Sequence, residues 1–453
     1  MTTPTLDRSR ISTLTERERA AFVNAHPQSL ALHHQAGESL FGGVPMNWMN
    51  RWPGPFPLFV AEAQGARVTD VDGHDYVDLC LGDTGAMCGH APPATVAAIA
   101  DQAARGITTM LPTADAEWVG AELARRFGLP IWQIALSATD ANRFALRFCR
   151  AITGRPKILV FNWCYHGTVD ETFAVLGPDG TVQPRPGNLG PQVDPAVTTR
   201  VVEFNDLEAL ERALAMGDVA CVLAEPALTN IGIVLPDPGF HAELRRLTRE
   251  AGTLLIIDET HTLCAGPGGY TAAYGLEPDL ITLGKPIAGG VAAAAYGFTM
   301  EVAEALRGPV IDSPDADVSG VGGTLTANAL TLAAMRATLG EVLTDDAWET
   351  MIPLAGRWAH GVGEVIAAAD LPWTVQQLGC RAEYWFCPPP RNGGQAAAAV
   401  DHELDAFMHL YALNRGVLLT PFHNMALMSP ATTATDVDRH TDVFASAVAE
   451  LIA

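Results

Sequence analysis

The chain carries 28 lysines and arginines, and only two of them are lysines, Lys157 and Lys285. Where arginine meets nearly every need for positive charge, a retained lysine points to chemistry that a guanidinium cannot perform. A primary amine condenses with a carbonyl to give an imine. Chance retention accounts for one of the pair, and the neighbours separate them. Lys285 stands in ITLGKPIAGG, at the polar end of an apolar run, with Pro286 stopping the strand and Gly284, Gly289 and Gly290 leaving room for a bulky ligand. Desolvation at such a place favours the free amine, which attacks carbonyls. A lysine that lays its stem on apolar surface and keeps its head in water would look similar. Lys157, in GRPKILV, opens its run instead of closing it and reads as structural.

Asp258 closes a second run, TLLIIDET. A carboxylate at the end of a buried strand is costly unless it is paired, and a protonated ring nitrogen would pair it. An imine-forming lysine and a carboxylate for a ring nitrogen are the two demands of pyridoxal 5′-phosphate (PLP), whose pyridinium must stay charged to accept electrons from the substrate. An Asp that caps the next helix fits the position too. Two further runs complete a pocket. In SATDANRFALR the N–H groups of Ala138 and Thr139, the Thr139 hydroxyl and a helix dipole suit a phosphate, although an ordinary capped helix reads the same. In FNWCYHG, Tyr165 and His166 follow an apolar strand, and the Tyr165 face can stack on a pyridine ring or pack on the core.

These residues need a scaffold with aligned strand ends. From about residue 92 to 325, helical runs such as DAEWVGAELARRFG alternate with KILVFNW, VACVLAEPAL, TLLIIDET and DLITLGK, each apolar and ending in polar residues. Strands buried on both faces of an open α/β sheet have this pattern, and ligands sit at their polar ends. Before this region, TERERAAFVNAH predicts an amphipathic helix, and FPLFVAEA and ARVTDVDG predict strands, with a tight turn at Asp72–Gly73. After it come NALTLAAMRATLGEVL, CRAEYWFCPPP and a closing helix DVDRHTDVFASAVAELIA, while Gly393–Gly394 and the alanines after them predict a surface loop. The boundaries expected are 1–70 and 330–453 for one small α+β domain built from both chain ends, and 71–329 for a large α/β domain with a mainly parallel sheet flanked by helices.

Composition closes off other classes. Apolar residues make up 48% and charged residues 17%, a globular composition. A net charge of −23 argues against nucleic acid or an acidic membrane as partner. No run approaches the roughly 18 apolar residues of a membrane span, and the first residues lack a signal-peptide core. Eight scattered cysteines without CxxC spacing fit reduced thiols in a cytoplasm, with no zinc site or other metal.

The blocks GGV, DVDGHDYVDL, GHAPPATVAAI, SATDA, YHG, FND, EPALTN, DETHT, TLGKPIAGG and GTLTANAL run in unbroken order from about Phe41 to Ser429. In that order and spacing the chain resembles the class III, fold-type I PLP aminotransferases, and among them the glutamate-1-semialdehyde aminomutase-like branch. The resemblance implies that Lys285 holds PLP as a Schiff base and later shuttles a proton. It implies Asp258 at the pyridine nitrogen, Tyr165 on one ring face and Thr260 on the other, and Ala138 and Thr139 at the phosphate. Asn230 would contact the ring hydroxyl. Thr324 would reach the phosphate of a second subunit, which implies a homodimer.

The sequence departs from the family pattern in four places. The phosphate loop has Ala138 where the family usually has glycine. DETHT replaces a DEVM-like run and brings in His261, for which a hydrogen-bonded structural role is the expectation. Asn424 stands where aminomutases tend to have an acid. The position that often carries a carboxylate-gripping arginine is Met49, with Arg51 the nearest guanidinium. Trp48, Met49 and Trp163, with Arg51 as a conditional clamp, therefore lead to the expectation of a transaminase. It would move an amino group between a hydrophobic amine or β-amino acid-like donor and a carbonyl acceptor. An aminomutase, racemase or decarboxylase would use the same residues. A PLP-fold binding protein without catalysis is the alternative outside that class.

Overall fold

The aliphatic runs that the sequence marks as buried strands become the centre of one sheet. The computed structural model describes residues 6–315 and 319–453. Seven strands lie in the order Ile131–Ala135, Ala294–Phe298, Leu280–Leu283, Leu254–Asp258, Val219–Ala224, Lys157–Phe161 and Thr199–Val202. The last five in this order pair in parallel. Ala294–Phe298 runs antiparallel to both of its neighbours. Val219–Ala224 is buried at every residue, and Leu280–Leu283 likewise. Helices such as Ala138–Thr153 and Phe240–Glu250 pack on this sheet. This is the α/β architecture with a mainly parallel sheet that the strand pattern predicts.

Parallel pairing brings the C-terminal ends of neighbouring strands to one edge of the sheet. Asp258 stands opposite Thr282, and Ile257 opposite Ala224. The residues that follow these ends, Glu225, Glu259 and Gly284, therefore open onto the same edge.

The chain divides into two compact units. One comprises Met1–Pro92, Ala347–Pro389 and Ala399–Ala453, and the other comprises Pro93–Asp346 and Pro390–Ala398. The first unit extends past residue 70 because Asp75–Asp78 pairs with both Arg67–Asp70 and Val417–Leu418. The second extends past residue 329 because helix Ala329–Ala337 packs on Pro93–Arg105 and Asp115–Phe127. Within the first unit the two chain ends meet through Glu18, which is buried and accepts from Asn414 and from Arg415 Nη1 at 2.9 Å. Its three-stranded sheet joins Thr374–Leu378, Arg381–Trp385 and Met425–Leu427.

One expected loop is a helix. Gly393–Ala398 is helical, with Gly393 and Ala396 buried. A Cβ on Gly393 would lie 1.9 Å from the Asn162 carbonyl oxygen, so the glycine is required by close backbone packing and not by a flexible turn. Among the described residues no helix is long and apolar enough to cross a membrane.

Candidate active site

The site is built where the strands Leu254–Asp258 and Leu280–Leu283 end. Asp258 is buried, and its Oδ2 accepts from Asn142 Nδ2 at 2.8 Å and from His166 Nδ1 at 2.9 Å. Its Oδ1 accepts from the Thr260 N–H at 3.1 Å. Asn142 Oδ1 in turn accepts from Thr282 Oγ1 at 2.6 Å. Burial alone would raise the Asp258 carboxyl, but His166 and Asn142 outweigh it and hold the group below the usual carboxylate range. For His166 burial opposes the charge, and the adjacent Cys164 and Asp258 hold the imidazole well above its usual range. An ionised carboxylate is thus maintained in the interior.

Lys285 follows this edge on the next strand. Its backbone is left-handed, with φ 54°, and its side chain is half-buried. Nζ lies 2.7 Å from His261 Nε2. The sequence leads to the expectation of a hydrogen-bonded structural role for His261; its hydrogen bond is made to the lysine amine, and both residues lie three positions past a paired strand position. Lys157 opens its strand, with Nζ donating to the Ala196 carbonyl at 2.9 Å.

The helix Ala138–Thr153 begins beside these strand ends. Ser137 caps it by accepting from the Asp140 N–H, which leaves the first-turn N–H groups of Ala138 and Thr139 beyond the reach of intrahelical bonds. Ala138 does not have a positive φ, so its Cβ is compatible with the backbone where the family pattern has glycine. Thr139 Oγ1 accepts from the Thr168 N–H at 3.0 Å. A Cβ on Gly167 would fall 2.1 Å from that hydroxyl, and one on Gly284 would fall 3.1 Å from the Ala138 Cβ. Gly167 is thus required for its loop to close on the helix end, and a side chain at Gly284 would make a tight contact there.

Tyr165 and Trp163 come from the loop after Lys157–Phe161. Both are half-buried, with the Tyr165 ring edge-on to Phe173 and Arg185 5.2 Å over the Trp163 ring. Glu225, which closes Val219–Ala224, accepts from the Tyr165 N–H at 3.1 Å and from Thr229 Oγ1 at 2.6 Å. Asn230 follows in the same loop, half-buried. Thr324 lies in an exposed turn of this unit. Trp48, Met49 and Arg51 belong to the other unit, on the 3₁₀ turn Asn47–Arg51. There Trp48 and Arg51 are exposed, Met49 is half-buried, and Trp48 stands edge-on to Phe422. In that unit Asn424 is buried, accepting from His409 Nε2 at 2.9 Å and donating to Asp405 at 3.0 Å.

The residues present fit PLP. Thr260 Oγ1 is buried with no hydrogen-bond partner among the described residues, a polar atom that a ligand would satisfy. Asp258, the amine of Lys285 and the first-turn N–H groups of the helix would suit a ring-nitrogen partner, an imine-forming group and a phosphate cradle. Asn142, Thr282, Glu225 and the bonded role of His166 did not emerge from the sequence reading. The visible signal was a polar residue within an apolar pattern: Asn142 on the buried face of its helix, and Thr282 inside LITL.

Comparison with known proteins identifies the family. The model of the class III aminotransferases matches residues 48–445. A glutamate-1-semialdehyde 2,1-aminomutase of Desulfitobacterium hafniense is 34% identical over 389 residues, covering 84% of this chain and 88% of that protein. The crystal structure of a glutamate-1-semialdehyde-aminomutase from Pseudomonas aeruginosa PAO1 is 54% identical, covers 98% of this chain and 99% of that one, and superposes with a TM-score of 0.96. An alanine-for-lysine variant of that protein has been solved in complex with PMP. A β-phenylalanine aminotransferase from Variovorax paradoxus is 26% identical, covers 96% of this chain and 97% of that one, and has a TM-score of 0.86. The chain belongs to the class III aminotransferases, and it is an enzyme whose cofactor is pyridoxal 5′-phosphate.

Proposed function

We propose that this enzyme is an aminomutase, which moves an amino group between two carbons of one small amino-aldehyde, with glutamate-1-semialdehyde as its substrate. The observation that carries this reading is the 54% identity, over nearly the whole of both chains, with the protein of that name from Pseudomonas aeruginosa. The sequence puts intermolecular transfer from a hydrophobic amine first, and the comparisons support the aminomutase alternative better.

When bound, PLP withdraws electrons from the carbon that bears the amino group and so makes its proton removable. Lys285 would take and return that proton at Nζ. Asp258, kept ionised by His166 and Asn142, would hold the ring nitrogen in its charged form. Ala138 and Thr139 would bind the phosphate, Tyr165 and Thr260 would bracket the ring, and Asn230 would meet its hydroxyl. Thr324 would complete the phosphate site of a second copy, so that the working unit is a homodimer.

The test supplies glutamate-1-semialdehyde alone, with no amino acceptor, and follows by NMR the isomer that carries its amino group on C1 and its carbonyl on C2. An aminomutase forms that isomer without a second substrate. The second reading, transamination of a β-amino acid or hydrophobic amine, is favoured by Trp48 and Met49 and by the likeness to the β-phenylalanine aminotransferase. It expects turnover only with an added 2-oxo acid, and Arg51→Ala to abolish β-amino acid turnover while sparing an apolar amine. That pattern, with no isomer formed, would overturn the aminomutase reading.

A further inference from the structure

His261 and Lys285 stand at equal offsets along two paired parallel strands. Asp258 faces Thr282, and three residues past each come His261 and Lys285. His261 is buried, and its Nε2 meets Lys285 Nζ at 2.7 Å, the distance of a direct hydrogen bond. At this distance one nitrogen donates to the other, and with its Nε2 lone pair turned to Nζ the imidazole is placed to receive a proton from the lysine. An amine that is to attack a carbonyl must first give up its ammonium proton.

The acidic groups at these strand ends have hydrogen-bond partners of their own. Asp258 is held by Asn142, His166 and the Thr260 N–H. Glu259 is bonded to Thr262 Oγ1 and to the N–H groups of Tyr270 and Thr271. Glu225 takes Thr229 and the Tyr165 N–H. Burial pushes both the Glu225 and Glu259 carboxyls up, away from the charged form.

We propose that His261 is a catalytic residue that accepts the ammonium proton of Lys285. The N–H bond at Nζ breaks, a new one forms at His261 Nε2, the electron pair stays on Nζ, and the positive charge passes to the imidazole. The inference deepens the reading of Lys285 as the cofactor-bearing lysine and rests on it.

With two lysines in the chain, the amine can be read directly. Cofactor-free enzyme is pulsed with acetic anhydride from pH 6 to 10, and acetylation of Lys285 is measured by peptide mass against Lys157 as internal standard. At pH 7 the wild-type Lys285 should react at least about 10-fold faster, relative to Lys157, than in His261→Ala. His261→Gln accepts a hydrogen bond but carries no proton, and it should behave like His261→Ala. Equal Lys285 reactivity in all three proteins overturns the proposal, and so does wild-type reactivity in His261→Gln. Lys157 reactivity and circular dichroism report on folding, and the glutamine variant carries the test if the alanine variant does not fold. No cofactor is present, so this outcome is independent of where PLP attaches.

Discussion

Asn142 Nδ2 donates to Asp258 Oδ2 at 2.8 Å across 116 positions of sequence, and the same side chain receives Thr282 Oγ1 on its oxygen. The buried carboxylate is therefore oriented from the helix Ala138–Thr153 and from the strand beside it. Asp258→Asn should lower activity by at least about 100-fold, nearly 3 kcal/mol of transition-state stabilisation. Asn142→Ala removes one donor of three and should cost about 10- to 100-fold, the range for a hydrogen bond to a charged group. The pH titration of the bound cofactor's absorbance should shift in both variants. An Asn142→Ala enzyme with wild-type rate and spectrum would show that Asp258 needs no support from the helix.

The attachment point is testable by chemistry that the composition makes clean. Borohydride reduction of the holoenzyme should fix the cofactor on the peptide containing Lys285 and leave that of Lys157 unmodified. Lys285→Ala should bind PLP without turnover, and Lys285→Arg should do no better, because a guanidinium forms no imine under these conditions. An adduct on Lys157 would contradict the assignment.

Thr324 lies beside exposed apolar side chains, with Met110 79%, Leu111 72% and Leu325 54% accessible. Such a face is consistent with burial against a second copy. Light scattering should give the mass of a dimer, and added PLP should stabilise it by mass action. Thr324→Ala should weaken PLP binding by about 10- to 100-fold, the value of one hydrogen bond to an anion. A fully active monomer would rule out a phosphate contact across the interface.

The first unit contains a pH-dependent carboxyl. Burial pushes Asp405 up to about 6, with the Asn424 amide opposing the shift. A raised carboxyl stabilises the fold fully below its unfolded value, near 4, and that contribution is lost as pH rises through about 6. Asp405→Asn removes this dependence. The variant should melt higher than wild type above pH 6, by an amount corresponding to at most about 3 kcal/mol, and the difference should vanish below about pH 4. A melting difference that is constant from pH 4 to 8 would show that Asp405 does not titrate in this range.

The strand-end positions of Lys285 and Asp258 were legible in the sequence because each closes an apolar run, and a buried parallel strand needs little besides that run to be recognised. The helix end at Ser137 was legible for a similar reason, since small polar residues before an amphipathic pattern are a local signal. His261 and Asn142 were present in the same runs, yet their partners were not. A polar side chain on a buried face reads identically whether it bonds to its own loop or to a residue more than a hundred positions away. That choice is made by the register of Leu254–Asp258 on Leu280–Leu283, which sets His261 beside Lys285 and Asp258 opposite Thr282, within reach of one amide on the helix that packs against them. Strand order and register are decided by the packing of the whole sheet, so the bonds that depend on them became visible only once the chain was folded.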